Sequence, residues 1–115
     1  MDKIKDLYER LFEFERRIHE FLQTIPHSHD NITIRAQLAK SARLVGVKYD
    51  EARSGSPVND LTNEDMLLKG IRELHYWLRI IKRKLPDLNQ PELADLITES
   101  GELQNILESI IQKQG

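Results

Sequence analysis

The chain has 115 residues, 39% of them hydrophobic and 31% charged, with a formal net charge of -2. That leaves room for one domain over 1–115, with a thin core under a charged surface, as expected of slender helices that each bury one stripe. The absence of cysteine excludes disulfides, thiolate zinc sites and thiol nucleophiles and suits a reducing cytoplasm. No apolar run approaches the roughly 20 residues that a membrane helix needs. The opening MDKIKDLYER is charged and amphipathic, so it reads as a mature helix and not as a signal peptide. A soluble cytoplasmic protein is expected.

In the first stretch Ile4, Leu7, Leu11, Phe14, Ile18, Phe21 and Ile25 alternate spacings of three and four, a heptad seam that predicts a helix from Lys3 to Ile25. Tyr8, Phe12 and Leu22 lie beside the seam and widen its apolar face enough for a second neighbour. Pro26 ends the helix, and a short polar turn leads to Asp30 or Asn31, either of which can accept the first free amides of the next helix. So short a connection implies an antiparallel neighbour.

The second helix is expected to run to Arg53 on the seam Leu38, Ala42, Val45, Tyr49 and Ala52, flanked by Ala39, Ser41 and Gly46. Gly46 costs about 1 kcal/mol against alanine inside a helix, so its presence points to a second backbone close by. The stretch SGSPVND then breaks the pattern as the expected mobile loop. Thr62 and Asp65 resemble a capping box at the start of a third helix, whose stripe is Leu67, Ile71, Leu74, Leu78, Ile81 and Leu85 and which Pro86 ends. Asn89 and Glu92 form the next capping pair, with Pro91 in the first turn. Leu93, Ile97, Ser100, Leu103, Leu107 and Ile110 make the fourth stripe.

No strand pattern occurs, and four amphipathic helices with short connections predict an all-α, antiparallel up-down-up-down four-helix bundle. In that arrangement residues of helices two and three whose numbers sum to roughly 115 lie level, given equal rise per residue. Gly46 then faces Gly70, and the pair predicts the closest crossing of these helices; the alternative is two unrelated glycines. The same arithmetic brings Arg35 level with Arg79 and Lys82, with Arg83 and Lys84 within one turn.

Charge is distributed unevenly along the chain. Residues 31–85 carry 11 basic against 6 acidic side chains, a net of +5, while residues 1–30 carry 5 against 7 and residues 86–115 carry 1 against 6, together -7. One reading is that neighbouring helices of opposite charge complement one another. The other is a basic face, built from Arg35, Arg79, Lys82 and Arg83, that contacts phosphates; cations at a helix C-terminus also suit its dipole with no partner at all.

No catalytic constellation emerges. His27 and His29 form an HxH pair in a turn beside a proline, which reads as a solvated turn and not as a zinc site. None of the four histidines has a glutamate three residues before it, as a di-iron bundle requires. Ser54, Gly55 and Ser56 match neither a nucleophile elbow nor a phosphate loop. Neither enzyme activity, metal nor cofactor is expected. Tyr76 with Trp77 is a stacking platform for bases on one reading and an interface or core pair on the other. Tyr8, Phe12 and Trp77 are the candidate oligomer contacts.

The run QLAKSARLVGVKYDEARS, then GIRELHYWLRII, then ELADLITESGELQNILESII resembles the four-helix-bundle proteins first noticed in intervening sequences of bacterial 23S ribosomal RNA genes. Gln37, Leu38, Lys40, Ser41, Ala42, Gly46 and Tyr49 match that family's second helix, and Glu73, Tyr76, Trp77 and Leu78 its third. Lys48 stands in place of an asparagine, and Gly70 in place of a common glutamate. The resemblance implies an up-and-down bundle that assembles into a ring of five subunits. It assigns no biochemical activity; a related group, the accessory proteins of diversity-generating retroelements, holds nucleic acid and reverse transcriptase on a basic pentamer. The expectation is a non-catalytic oligomeric scaffold that binds RNA or DNA through a basic end of helices two and three, the alternative being a protein adaptor or structural ring with no nucleic-acid role.

Overall fold

The computed structural model describes residues 3–53, 60–88 and 90–114. Four α-helices follow one another: α1 (Lys3–Leu22), α2 (Ile32–Arg53), α3 (Asp60–Lys84) and α4 (Gln90–Gln114), with a short 3-10 turn at His29–Asn31 leading into α2. No strand occurs among the described residues. Both α1 and α3 pack on α2 and on α4, while the pairs α1–α3 and α2–α4 stand diagonally. The result is an all-α four-helix bundle of 42 × 24 × 21 Å. The expected 54–60 loop, except for Asp60, and the Asn89 cap lie outside the described residues.

Periodicity explains the core. Leu11, Phe14, Ile18 and Phe21 of α1 meet Leu38, Ala42 and Val45 of α2, Ile71, Leu74, Leu78 and Ile81 of α3, and Leu93, Leu103 and Leu107 of α4 in one buried cluster. Burying each large apolar side chain contributes about 1.5–3 kcal/mol. In α4 the seam passes through Leu96, which is fully buried, and not through Ile97, which is only partly so. Spacing alone allowed either. Between Leu93 and Ser100 either choice alternates three and four, and Leu96 also continues that alternation into Leu103 and Leu107.

Three helix ends differ from expectation. α1 leaves α geometry at Leu22, not Ile25: the amides of Gln23, Thr24 and Ile25 reach back only three residues, to the carbonyls of Glu20, Phe21 and Leu22 at 3.2, 2.9 and 3.2 Å. Such tightening satisfies carbonyls that a frayed last turn would leave bare. Neither Asp30 nor Asn31 caps α2, because the turn begins at Ser28. Asn31 is buried and donates its amide to the Pro26 carbonyl at 3.0 Å, fastening the turn to itself. α3 starts two residues ahead of Thr62, which therefore sits within its first turn.

The register of α2 against α3 follows the expected levels, and the glycines do not face each other. An added Cβ on Gly70 would lie 2.7 Å from Val45 Cγ2 and 3.5 Å from the Val45 backbone nitrogen, so α3 presses its backbone onto α2 there. Gly46, one residue on, is turned about 100° away by the helical repeat. It faces α1, where the Glu15 carboxylate lies against it. A few residues off, the buried Ser41 hydroxyl donates to Glu73 at 3.0 Å across the same α2–α3 seam.

Arg35 serves the α1–α2 corner and not a basic end. Its Nη1 donates to the carbonyl of Ile25 and, at 2.9 Å, to that of Leu22, which also accepts from the Ile25 amide. Arginine's planar fork suits two acceptors at once, and its charge complements the negative end of the helix.

These contacts fix three expectations for denaturant unfolding. Gly70→Ala forces a methyl onto the stiff, buried Val45 side chain, and overpacking of about 1–3 kcal/mol exceeds the roughly 1 kcal/mol of helix propensity gained, so stability falls. Gly46→Ala displaces only the free end of Glu15, and stability rises by up to about 1 kcal/mol. Arg35→Ala strands the Ile25 carbonyl and costs about 1–3 kcal/mol.

Candidate nucleic-acid interface

Ion pairing decides which charges remain available to a ligand. On the α1–α4 side, Arg10 pairs with Glu99 and Glu102 at 2.7 and 2.8 Å, and Arg17 with Glu92 at 2.8 Å. Glu99 first, then Glu102, hold the Arg10 guanidinium above its ordinary range against the opposing effect of burial. α4 is acidic and α1 balanced in charge, and the two meet through the arginines of α1. Opposite charges of middle and outer helices complement one another at Arg72 of α3, which pairs with Glu108 of α4.

The remaining cations of α3 form a row. Lys69, Arg72, Tyr76, Arg79 and Arg83 are all exposed and follow one another at three, four, three and four residues, so they share the outer face of α3 over about 21 Å. Lys82 and Lys84 are exposed beside its C-terminal end. Among the described residues Lys69, Arg79, Lys82, Arg83 and Lys84 have no ion-pair partner. Asp65, exposed one turn before Lys69, marks the acidic limit of the row. Glu73 does not oppose it, since its carboxylate is turned inward to Ser41.

Of the four expected phosphate contacts, Arg79, Lys82 and Arg83 therefore lie together and Arg35 does not join them. Position along the helix placed Arg35 level with them, but its azimuth directs it to α1. Lys69 and Arg72 lie outside the basic end that level-counting marks; their helical spacing to Arg79 is the signal that includes them. The other face of that end carries a shallow groove of about 410 Å³ lined by Pro26, Lys84, Leu85, Pro86, Asp87 and Leu88.

The candidate contact aromatics divide. Tyr8 packs edge-on against Tyr49 with ring centroids 5.7 Å apart, so its ring is largely spent within the subunit. Phe12 remains 56% exposed, with Val47 at 47% on neighbouring α2. Trp77 is partly buried against the core, and it is Tyr76, 49% exposed, that stands in solvent. The two rings meet edge to face at 5.1 Å and 82°.

One titratable group is drawn inward. His75 Nδ1 lies 2.7 Å from Ser100 Oγ, and that buried hydroxyl donates to the Ile97 carbonyl at 3.0 Å. The serine proton is thus committed, so the neutral ring donates from Nδ1. Burial, and then Arg79, hold its pKa below the ordinary 6.5. Among the described residues no three His, Cys, Asp or Glu side chains gather as a metal site, and no helix is long and apolar enough to cross a membrane.

Because the unfolded chain takes up the His75 proton more readily than the folded one, its contribution to stability is full above pH 6.5 and is lost as pH falls through the lower folded value. Thermal unfolding between pH 7.5 and pH 5 should therefore show a falling midpoint. His75→Gln should flatten that part of the profile.

No family model matches the chain, and no curated protein matches it. Among solved structures the chain is similar to a protein of unknown function from the S23 ribosomal protein family of Bacteroides thetaiotaomicron, with a TM-score of 0.76 and 22% identity over 91% of this chain and 97% of that one. At that identity the likeness is one of fold: the chain has the all-helical fold of a protein from that family.

Proposed function

We propose that the protein is a non-catalytic helical scaffold that binds the backbone of RNA or DNA through the outer face of α3. The observation that carries this reading is the row Lys69, Arg79 and Arg83, extended by Lys82, whose charges are exposed and unneutralised among the described residues. Regularly placed cations on a rigid helix suit a regularly charged polymer better than a single small anion. The name of the structural neighbour's family, a ribosomal protein family, and the resemblance to proteins from intervening sequences of 23S ribosomal RNA genes are in keeping with an RNA setting. The reading includes a homo-oligomer, pentameric by that resemblance and cytoplasmic, in which repeated weak sites combine their contacts on one strand. The link to retroelement accessory proteins belongs to the same reading.

A second reading, a protein adaptor, draws on exposed Phe12 and Val47. They stand beside a groove of about 350 Å³ lined in part by Glu15, His19, Ala39 and Arg43.

Titration of a labelled oligonucleotide at several salt concentrations separates the two. With four cations engaged, the logarithm of affinity for a single strand should fall with the logarithm of salt at a slope near -3. Reversing Arg79 and Lys82 to glutamate should abolish binding and leave the melting temperature nearly unchanged, since both side chains are exposed. Absence of binding by the unmodified protein at about 50 mM salt, where phosphate contacts are strongest, would leave the adaptor reading. Light scattering should give a mass above the 13.5 kDa of one chain.

A further inference from the structure

We infer that Tyr76 is a base-stacking platform and that the ligand of α3 is therefore a single strand, of RNA or DNA alike. The inference rests on the backbone-binding reading above and assigns the class of nucleic acid that it leaves open.

Tyr76 occupies the middle of the cationic row, with Lys69 seven residues before it and Arg79 three residues after. Along the axis those unpaired cations stand about 10.5 and 4.5 Å away, so a ligand whose phosphates lie on both passes over the phenol ring. The ring is 49% exposed. It is also held in place, because it makes a T-shaped contact with Trp77 at 5.1 Å while Trp77 is itself anchored on the core. A flat, pre-positioned ring between cations offers a π-face to a base and charge to the flanking phosphates. Duplex bases are stacked on one another and present only their edges, so the ring has nothing to grip there; unpaired bases are free to turn onto it. The row spans about six nucleotides at 3.4 Å per strand position.

The row offers guanidinium, ammonium and phenol groups, and none of its members is an acceptor aimed at a sugar hydroxyl. RNA and DNA single strands of one sequence should accordingly bind alike. An acidic protein segment would satisfy the cations equally but would have no use for the ring.

The test is fluorescence anisotropy of a labelled 12-nucleotide strand of mixed sequence, as RNA, as DNA and as the DNA duplex. The proteins compared are the unmodified one, Tyr76→Ala and Tyr76→Phe, each checked for an unchanged melting curve. Tyr76→Ala should lose about 5- to 150-fold in single-strand affinity, the measure of one stacked base, with duplex binding unaltered. Tyr76→Phe should retain single-strand binding, because the face and not the hydroxyl is used. Trp77, the only tryptophan of the chain, supplies a second readout in the unmodified protein: single strand should change its emission, and duplex at equal saturation should not.

Equal single-strand affinities for the unmodified protein and Tyr76→Ala, alongside a steep salt dependence, would overturn the stacking role and leave backbone binding in place. Displacement of the strand by polyglutamate at the same charge concentration as by unlabelled strand would overturn it in favour of an acidic protein. Failure of every oligonucleotide to bind would remove the backbone reading itself.

Discussion

The backbone of α3 at Gly70 lies so near Val45 that a single methyl group would not fit, and much of the arrangement depends on that contact. Close approach of two helices brings short side chains within reach across the seam. Ser41 can therefore meet Glu73 at 3.0 Å, a distance that a bulky residue at position 70 would open. The hydrogen bond in turn withdraws the carboxylate of Glu73 from the outer surface. One missing side chain thus helps to set both the register of two helices and the sign of the charge that α3 shows to solvent.

Polar contacts divide the bundle into two kinds of seam. α1 and α4 are joined by exposed and half-exposed ion pairs, Arg10 with Glu99 and Glu102, and Arg17 with Glu92. Such pairs contribute modestly, roughly 0–1 kcal/mol each when solvated, so their main effect is to choose the partner face and discourage others. The α3–α4 seam has the Arg72–Glu108 pair at its surface and, further in, encloses a neutral relay from His75 through Ser100 to the Ile97 carbonyl. Each member is satisfied while the ring is uncharged, and a proton arriving there meets burial and the charge of Arg79.

What the sequence reveals of this molecule follows from what periodicity measures. The apolar seams of α1, α2 and α3 were readable because their spacing of three and four has one geometric meaning, and levels between antiparallel helices could be counted. Azimuth was harder. Gly46 and Gly70 were level to within a residue, but one residue turns a helix position by about 100°, enough to send Gly46 to α1. Arg35 was misplaced for the same reason, being level with Arg79 and pointed elsewhere. At Leu96 and Ile97 two adjacent apolar residues offered two seams, and only packing chose between them. The neighbour with 22% identity supports the bundle, and at that identity it bears on the fold alone.

The separation of charges has a consequence for how the molecule behaves as an electrical object. Unpaired cations lie along the outside of α3, while the acids Asp6 and Glu9 are exposed on α1, the helix diagonally opposite. The bundle is 21–24 Å thick in that direction, and the Debye length at physiological ionic strength is about 8 Å. Each face is thus electrically hidden from the other by salt. A negatively charged surface far away sees a weakly repelling particle of charge -2, whereas one within a few ångströms of α3 meets the unpaired cations of that helix first. Isoelectric point and overall charge describe the chain as a solute and say little about which polymer it can hold.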